Sequence, residues 1–129
     1  MESRGAILIT GASGFIGRRV ARAALERGYE TRTLSRREWE GEPRVPLAWR
    51  FLGALPHNIP EAAFAGARAL VHLANTTGSE DDATARAVNV EGTRRLAALA
   101  ARHGLERIVY ISSQSAREDA ISAYGKTKL

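Results

Sequence analysis

Ala6-Ile7-Leu8-Ile9-Thr10-Gly11-Ala12-Ser13-Gly14-Phe15-Ile16-Gly17 decides how the rest of the chain is read. Its opening apolar run has the pattern of a short strand buried on both faces. From Phe15 to Arg27 the apolar positions Ile16, Val20, Ala23 and Ala24 follow helical spacing, and Gly28 is placed to end that helix. Between strand and helix lies a G-x-x-G-x-x-G run. In such a turn Gly11 permits the tight bend, Gly14 lets backbone approach a pyrophosphate, and Gly17 lets the helix pack close to the strand. The free N–H groups and dipole at the helix start favour a phosphate anion. A tight connection that binds nothing is the plain alternative.

Outward from this unit, strand and helix signals alternate. Glu30 to Ser35 reads as a second strand that Arg32 interrupts, Arg36 to Val45 as a polar loop, and Pro46 to Leu52 as the seat of a third strand. Pro60 to Gly66 supplies one or two helical turns, and Ala69 to Ala74 a fourth strand. Ser79 followed by Asp82 resembles a capping box. Ala85, Val88, Gly92, Leu96 and Leu99 then give one long helix with a single inward face, closed near Gly104. Ile108 to Ile111 is a fifth strand, Ser112 to Ala120 a polar loop, and a further helix begins near Ser122. Such alternation means parallel pairing through right-handed crossovers, hence an α/β doubly wound parallel sheet with strand order 3-2-1-4-5. A parallel sheet needs cover on both faces. The last helix has barely begun at Leu129, so one face near this end is expected to be bare and the chain to be the first part of a longer protein.

Composition agrees with a single domain over residues 1–129. The 129 residues are 44% hydrophobic and 26% charged, ordinary values for a packed fold. With no cysteine there is no disulfide, zinc–thiolate site or thiol nucleophile, and no metal site is expected. Apolar stretches are too short to span a membrane, and the first strand lacks a cleavable-signal pattern, so a cytoplasmic location is expected. The net charge is +5, and 17 of the 19 basic residues are arginines scattered without aromatic interleaving, which argues against nucleic acid as a partner. The densest group, Arg32, Arg36 and Arg37, reads as an anion site.

Two further places carry chemistry. An Asp or Glu about 20 residues beyond the glycines would accept from a ribose 2′-hydroxyl. Ser35 stands there instead, followed by Arg36 and Arg37. A hydroxyl and a guanidinium suit a 2′-phosphate, so NADP is favoured over NAD; a solvated basic loop is the alternative. Tyr124 and Lys128 are four apart and share a helix face. An ammonium beside a phenol favours the phenolate, which makes Tyr124 a proton carrier near neutral pH. Ser113 lies on the loop after the fifth strand, at the sheet edge where ligands of open α/β sheets bind.

Thr10 to Gly17, Val71-His72-Leu73-Ala74, Asn89-Val90-Glu91-Gly92-Thr93, Val109-Tyr110-Ile111-Ser112-Ser113 and Tyr124-Gly125-Lys126-Thr127-Lys128 occur in this order. Together they resemble the extended short-chain dehydrogenase/reductase family, the NAD-dependent epimerase/dehydratase group, over the Rossmann-fold cofactor-binding part. The resemblance implies that Gly11, Ser13, Gly14 and Gly17 hold the pyrophosphate, with Phe15 and Ile16 beside it. It places Ser35 and Arg36 at the adenosine end and Ala74 and Asn75 at the nicotinamide-side ribose. Tyr124 would be the catalytic acid/base, Lys128 would lower its pKa and bind that ribose, and Ser113, with Ser112 as fallback, would hold the reacting substrate oxygen. Asn89 would steady the active-site backbone.

The implied activity is hydride transfer between a nicotinamide cofactor and a hydroxyl-bearing small molecule, nucleotide sugars among the candidates. A non-catalytic NAD(P)-binding module or sensor, and an inactive fragment of the enzyme, are the alternatives. A homodimer through the helix that Tyr124 begins is the implied protein partner. Three departures stand out: Ser35 in place of an acid, a short loop from Ser113 to Tyr124, and a chain that ends at the catalytic lysine. His72 reads as a packed, hydrogen-bonded histidine, His57 and His103 as surface residues, and Glu80-Asp81-Asp82 as a favourable helix start. Trp39 and Trp49 are too isolated to form a stacking platform.

Overall fold

The apolar run Ala6–Thr10 forms β1, the centre of a five-stranded parallel sheet in a computed structural model that describes residues 4–38, 41–74 and 82–111. The other strands are β2 (Glu30–Ser35), β3 (Arg50–Leu52), β4 (Ala67–His72) and β5 (Arg107–Tyr110), and the order β3-β2-β1-β4-β5 is the expected one. Leu8 pairs with Arg32 of β2 on one side and with Leu70 of β4 on the other. The helices are α1 (Phe15–Glu26), α2 (Asp82–Arg86) and α3 (Gly92–Arg102). Both α1 and α3 end at the anticipated glycines: Tyr29 N–H returns to the Ala24 carbonyl, and Leu105 N–H to that of Ala100, each at 3.0 Å.

Alternation along the strands sends side chains into two cores. Leu8, Leu34 and Leu70 meet Phe64 and, from α3, Leu96 and Ala100. On the opposite face Ile9 packs with Ala12 and with Ala21 and Ala24 of α1. The crossover from β3 to β4 contains no long helix, only the 3-10 turn Glu61–Ala63. That turn is tied to the end of α3, where Glu61 accepts from Arg102 at 3.0 Å and lies 3.3 Å from His103 Nε2. The contact with His103, then that with Arg102, holds the Glu61 carboxyl below the usual carboxylate range. His103 thus has a role, stacked 6.0 Å from Phe64, whereas His57 is exposed.

Three sequence expectations shift. The fourth strand begins two residues earlier than its apolar run suggests and ends two residues earlier, where the N–H groups of Leu73 and Ala74 meet the Thr10 hydroxyl, both at 3.0 Å. The long helix is broken by a π-helical turn at Ala87–Glu91, which brings Asn89 inward and leaves Val88 half-buried. The capping residue Ser79 lies outside the described residues. Finally, Arg32 does not belong with an anion site. It is buried between β2 and the 3-10 turn, donating to Ala63 O at 2.9 Å and Ala65 O at 2.6 Å, pairing with Glu30 at 2.7 Å, and lying 5.0 Å from the Trp49 ring centroid. Its charge is spent inside the fold.

β5 is exposed along its length, Ile108 at 47% and Val109 at 44%. Among the described residues no helix is long and apolar enough to cross a membrane.

Arg32→Met is expected to destabilise the domain by about 2–4 kcal/mol, since it orphans two carbonyls and a half-buried carboxylate. Denaturant melts of the two proteins check this; equal midpoints would make the guanidinium contacts decorative.

Candidate functional site

The chain runs β1→β2→β3 to one side of β1 and then β4→β5 to the other. The carboxyl ends of β1 and β4 therefore flank the switch point of the sheet, where a crevice opens in folds of this kind. Here the glycine turn packs directly against the chain leaving β4, Gly11 against Leu73 and Ala74.

Contacts within the turn explain two of its glycines. Gly11 has φ +70°, and a Cβ there would stand 2.7 Å from the Ala74 nitrogen and 2.9 Å from the Leu73 carbonyl carbon. A Cβ on Gly17 would collide with the Gly11 carbonyl oxygen and lie 2.7 Å from Ala12 Cα. Gly14 is different. Its φ of −80° suits any residue, and an added Cβ would meet only the Gly11 oxygen, at 3.4 Å. No packing contact demands a glycine at this exposed position.

The helix start is equally informative. Gly14 is the N-cap of α1, no side chain caps the helix, and no acidic residue stands in its first turn. Most helices satisfy their first N–H groups with a Ser, Thr, Asp or Asn. Here the positive end of the dipole is left open toward the crevice, a ready anion site. Arg18 Nε donates to the Ser13 carbonyl at 2.9 Å and braces the turn from behind. Phe15 and Ile16 are 74% and 55% exposed although strongly apolar, with the Arg19 guanidinium 3.8 Å from the Phe15 ring centroid.

At the end of β2, the Ser35 hydroxyl donates to the Arg37 carbonyl at 2.8 Å, which bends the chain and leaves Arg36, Arg37 and Glu38 exposed. Ala74 lies against Gly11 at the crevice, and Asn89 is 1% exposed in the π-helical turn. Asn75, Ser112, Ser113, Tyr124 and Lys128 lie outside the described residues. Sequence reasoning missed Thr10 as a site organiser: its hydroxyl, 1% exposed, joins the Leu73 and Ala74 N–H groups to His72 Nδ1, 2.6 Å away. A threonine closing a strand directly before the first glycine was the available signal.

The model of the NAD dependent epimerase/dehydratase family matches residues 7–127. The chain belongs to this family. Ceramide reductase of Caulobacter vibrioides is 34% identical over 132 residues, covering 98% of this chain and 40% of the relative. A short-chain dehydrogenase/reductase superfamily protein of Agrobacterium tumefaciens, solved with bound NAD, superposes with a TM-score of 0.79 at 32% identity, covering 95% of this chain and 42% of that one. MoeE5, solved with UDP-glucuronic acid and NAD, gives 0.81 at 27% identity, covering 96% and 46%. The chain thus spans less than half the length of these relatives.

Alanine at Gly17 and at the middle glycine, Gly14, should separate folding from site. Gly17→Ala is expected to cost about 3 kcal/mol or more through its clash with backbone, while Gly14→Ala should shift stability by no more than about 0.5 kcal/mol. Thermal melts of the two variants decide it; equal losses would deny Gly14 its special place.

Proposed function

We propose that the chain is the dinucleotide-holding part of a nicotinamide-dependent oxidoreductase or epimerase/dehydratase. The observation that carries this reading is the start of α1 at Gly14, which no side chain caps and which stands at the sheet's switch point. Family membership and relatives solved with NAD support it. Gly11, Ser13, Gly14 and Gly17 would hold the pyrophosphate with Phe15 and Ile16 beside it, and Ala74 and Asn75 would line the nicotinamide-side ribose. Once bound, the cofactor supplies a hydride acceptor or donor.

The chain's own residues would handle the proton. Tyr124 would take the proton of a substrate hydroxyl or return it to a carbonyl oxygen, and Lys128, four positions on in sequence, would favour the phenolate by its charge. Ser113 donates to the same oxygen. Asn89 would steady the active-site backbone. The small-molecule substrate carries a hydroxyl or ketone. Nucleotide sugars are one such class, and the likeness to a ceramide reductase adds lipid-like carbonyls as another. In the full-length protein Tyr124→Phe is expected to lower turnover by about 100-fold or more while dinucleotide affinity holds; unchanged turnover would remove Tyr124 from the reaction.

The exposed Arg36 and Arg37 lead us to favour NADP. The Ser35 hydroxyl, committed as donor to Arg37, keeps lone pairs free and shapes the turn that presents the guanidinium groups. Calorimetric titration should give NADPH the higher affinity, with Arg36→Ala weakening NADPH about tenfold and leaving NADH alone. Equal or tighter binding of NADH by the unaltered protein would reverse the assignment.

A further inference from the structure

Beneath the crevice runs a chain of hydrogen bonds whose direction is fixed by counting protons and lone pairs. A threonine hydroxyl has one proton to give and two lone pairs. Thr10 Oγ1 accepts from Ala74 N–H and from Leu73 N–H, both at 3.0 Å, the latter shared with the Thr10 carbonyl at 3.3 Å, so its proton goes to His72 Nδ1, 2.6 Å away. With Nδ1 accepting, the imidazole proton sits on Nε2 and points to Thr93 Oγ1 at 2.9 Å. The Thr93 hydroxyl passes the direction on, donating to the Asn89 carbonyl at 2.6 Å. A second proton on His72 would face an oxygen whose lone pairs are both taken. The ring is 1% exposed, so the neutral form is the one that fits.

This chain links three things the site needs. Thr10 immediately precedes Gly11, and the two N–H groups it gathers belong to the segment against which Gly11 packs. The far end is the π-helical turn that carries Asn89. Thr93 bonding back to a carbonyl four residues earlier is a contact that bends helices, and it falls where the helix departs from regular form.

We propose that His72 and Thr93 are positioning residues of the dinucleotide site, acting through the Thr10 hydroxyl to hold the glycine turn, the exit of β4 and the Asn89 turn in one fixed relation. This rests on the dinucleotide reading above. It adds a prediction of its own, because the hydrogen-bonded chain has a direction that a merely packed histidine would lack.

The test uses the full-length protein, with NADH and NADPH as probes. Thr93→Val keeps the shape but removes the hydroxyl, and is expected to weaken the better-bound dinucleotide about tenfold; Thr93→Ser should stay within about threefold of the unaltered protein. In parallel, nitrogen-15 spectra of His72 should show a neutral ring protonated on Nε2. A folded Thr93→Val that binds as the parent does would overturn the proposal, as would a ring protonated on Nδ1 or on both nitrogens. If valine prevents folding, the His72 spectrum of the unaltered protein decides alone. Absence of binding by the unaltered protein to either dinucleotide would instead sink the reading of the site, a distinct result from a wrong tautomer.

Discussion

Everything in this domain is arranged around one close approach, that of α1 to the end of β1. Backbone atoms of Gly11 and Ala12 occupy the space where a Gly17 side chain would be. The buried face of α1 continues with Ala21 and Ala24, again small, so the helix lies low on the sheet along its whole length. This closeness sets where the first turn of the helix stands relative to the crevice. A thicker contact would lift the helix and carry its N–H groups away from the switch point.

Polar groups hold the rest in place. The two cores are modest, built largely from alanine and leucine. Between them, buried polar side chains act as struts: Arg32 joins β2 to the turn before β4, and Thr10, His72 and Thr93 join β1 to the helix beyond it. In each case the polar atoms find partners, which is the condition for burying them at little cost. Low apolar content in β2 is therefore compatible with a central place in the sheet.

Much of this could be read in the sequence. The order of the strands followed from alternation and crossover handedness, and Gly28 and Gly104 marked helix ends where the hydrogen bonds now show them. The glycine turn was legible because Gly11 and Gly17 stand where a side chain would meet backbone. Other features were hidden for physical reasons. Arg32 could not be assigned inward, since its partners are carbonyls more than thirty positions away. The π-helical turn leaves no mark on an apolar period, which tracked Val88 while Asn89 moved inside. The retreat of β4 depended on a hydroxyl from another strand.

One consequence of the open helix start concerns encounter rather than affinity. A positive pole with no acidic residue in its first turn, on a chain of net charge +5, would project an attractive field into the surrounding solvent. Polyanionic molecules drifting past are drawn in over roughly the 8–10 Å that physiological ions allow. Their arrival rate, unlike their final grip, then becomes a function of ionic strength.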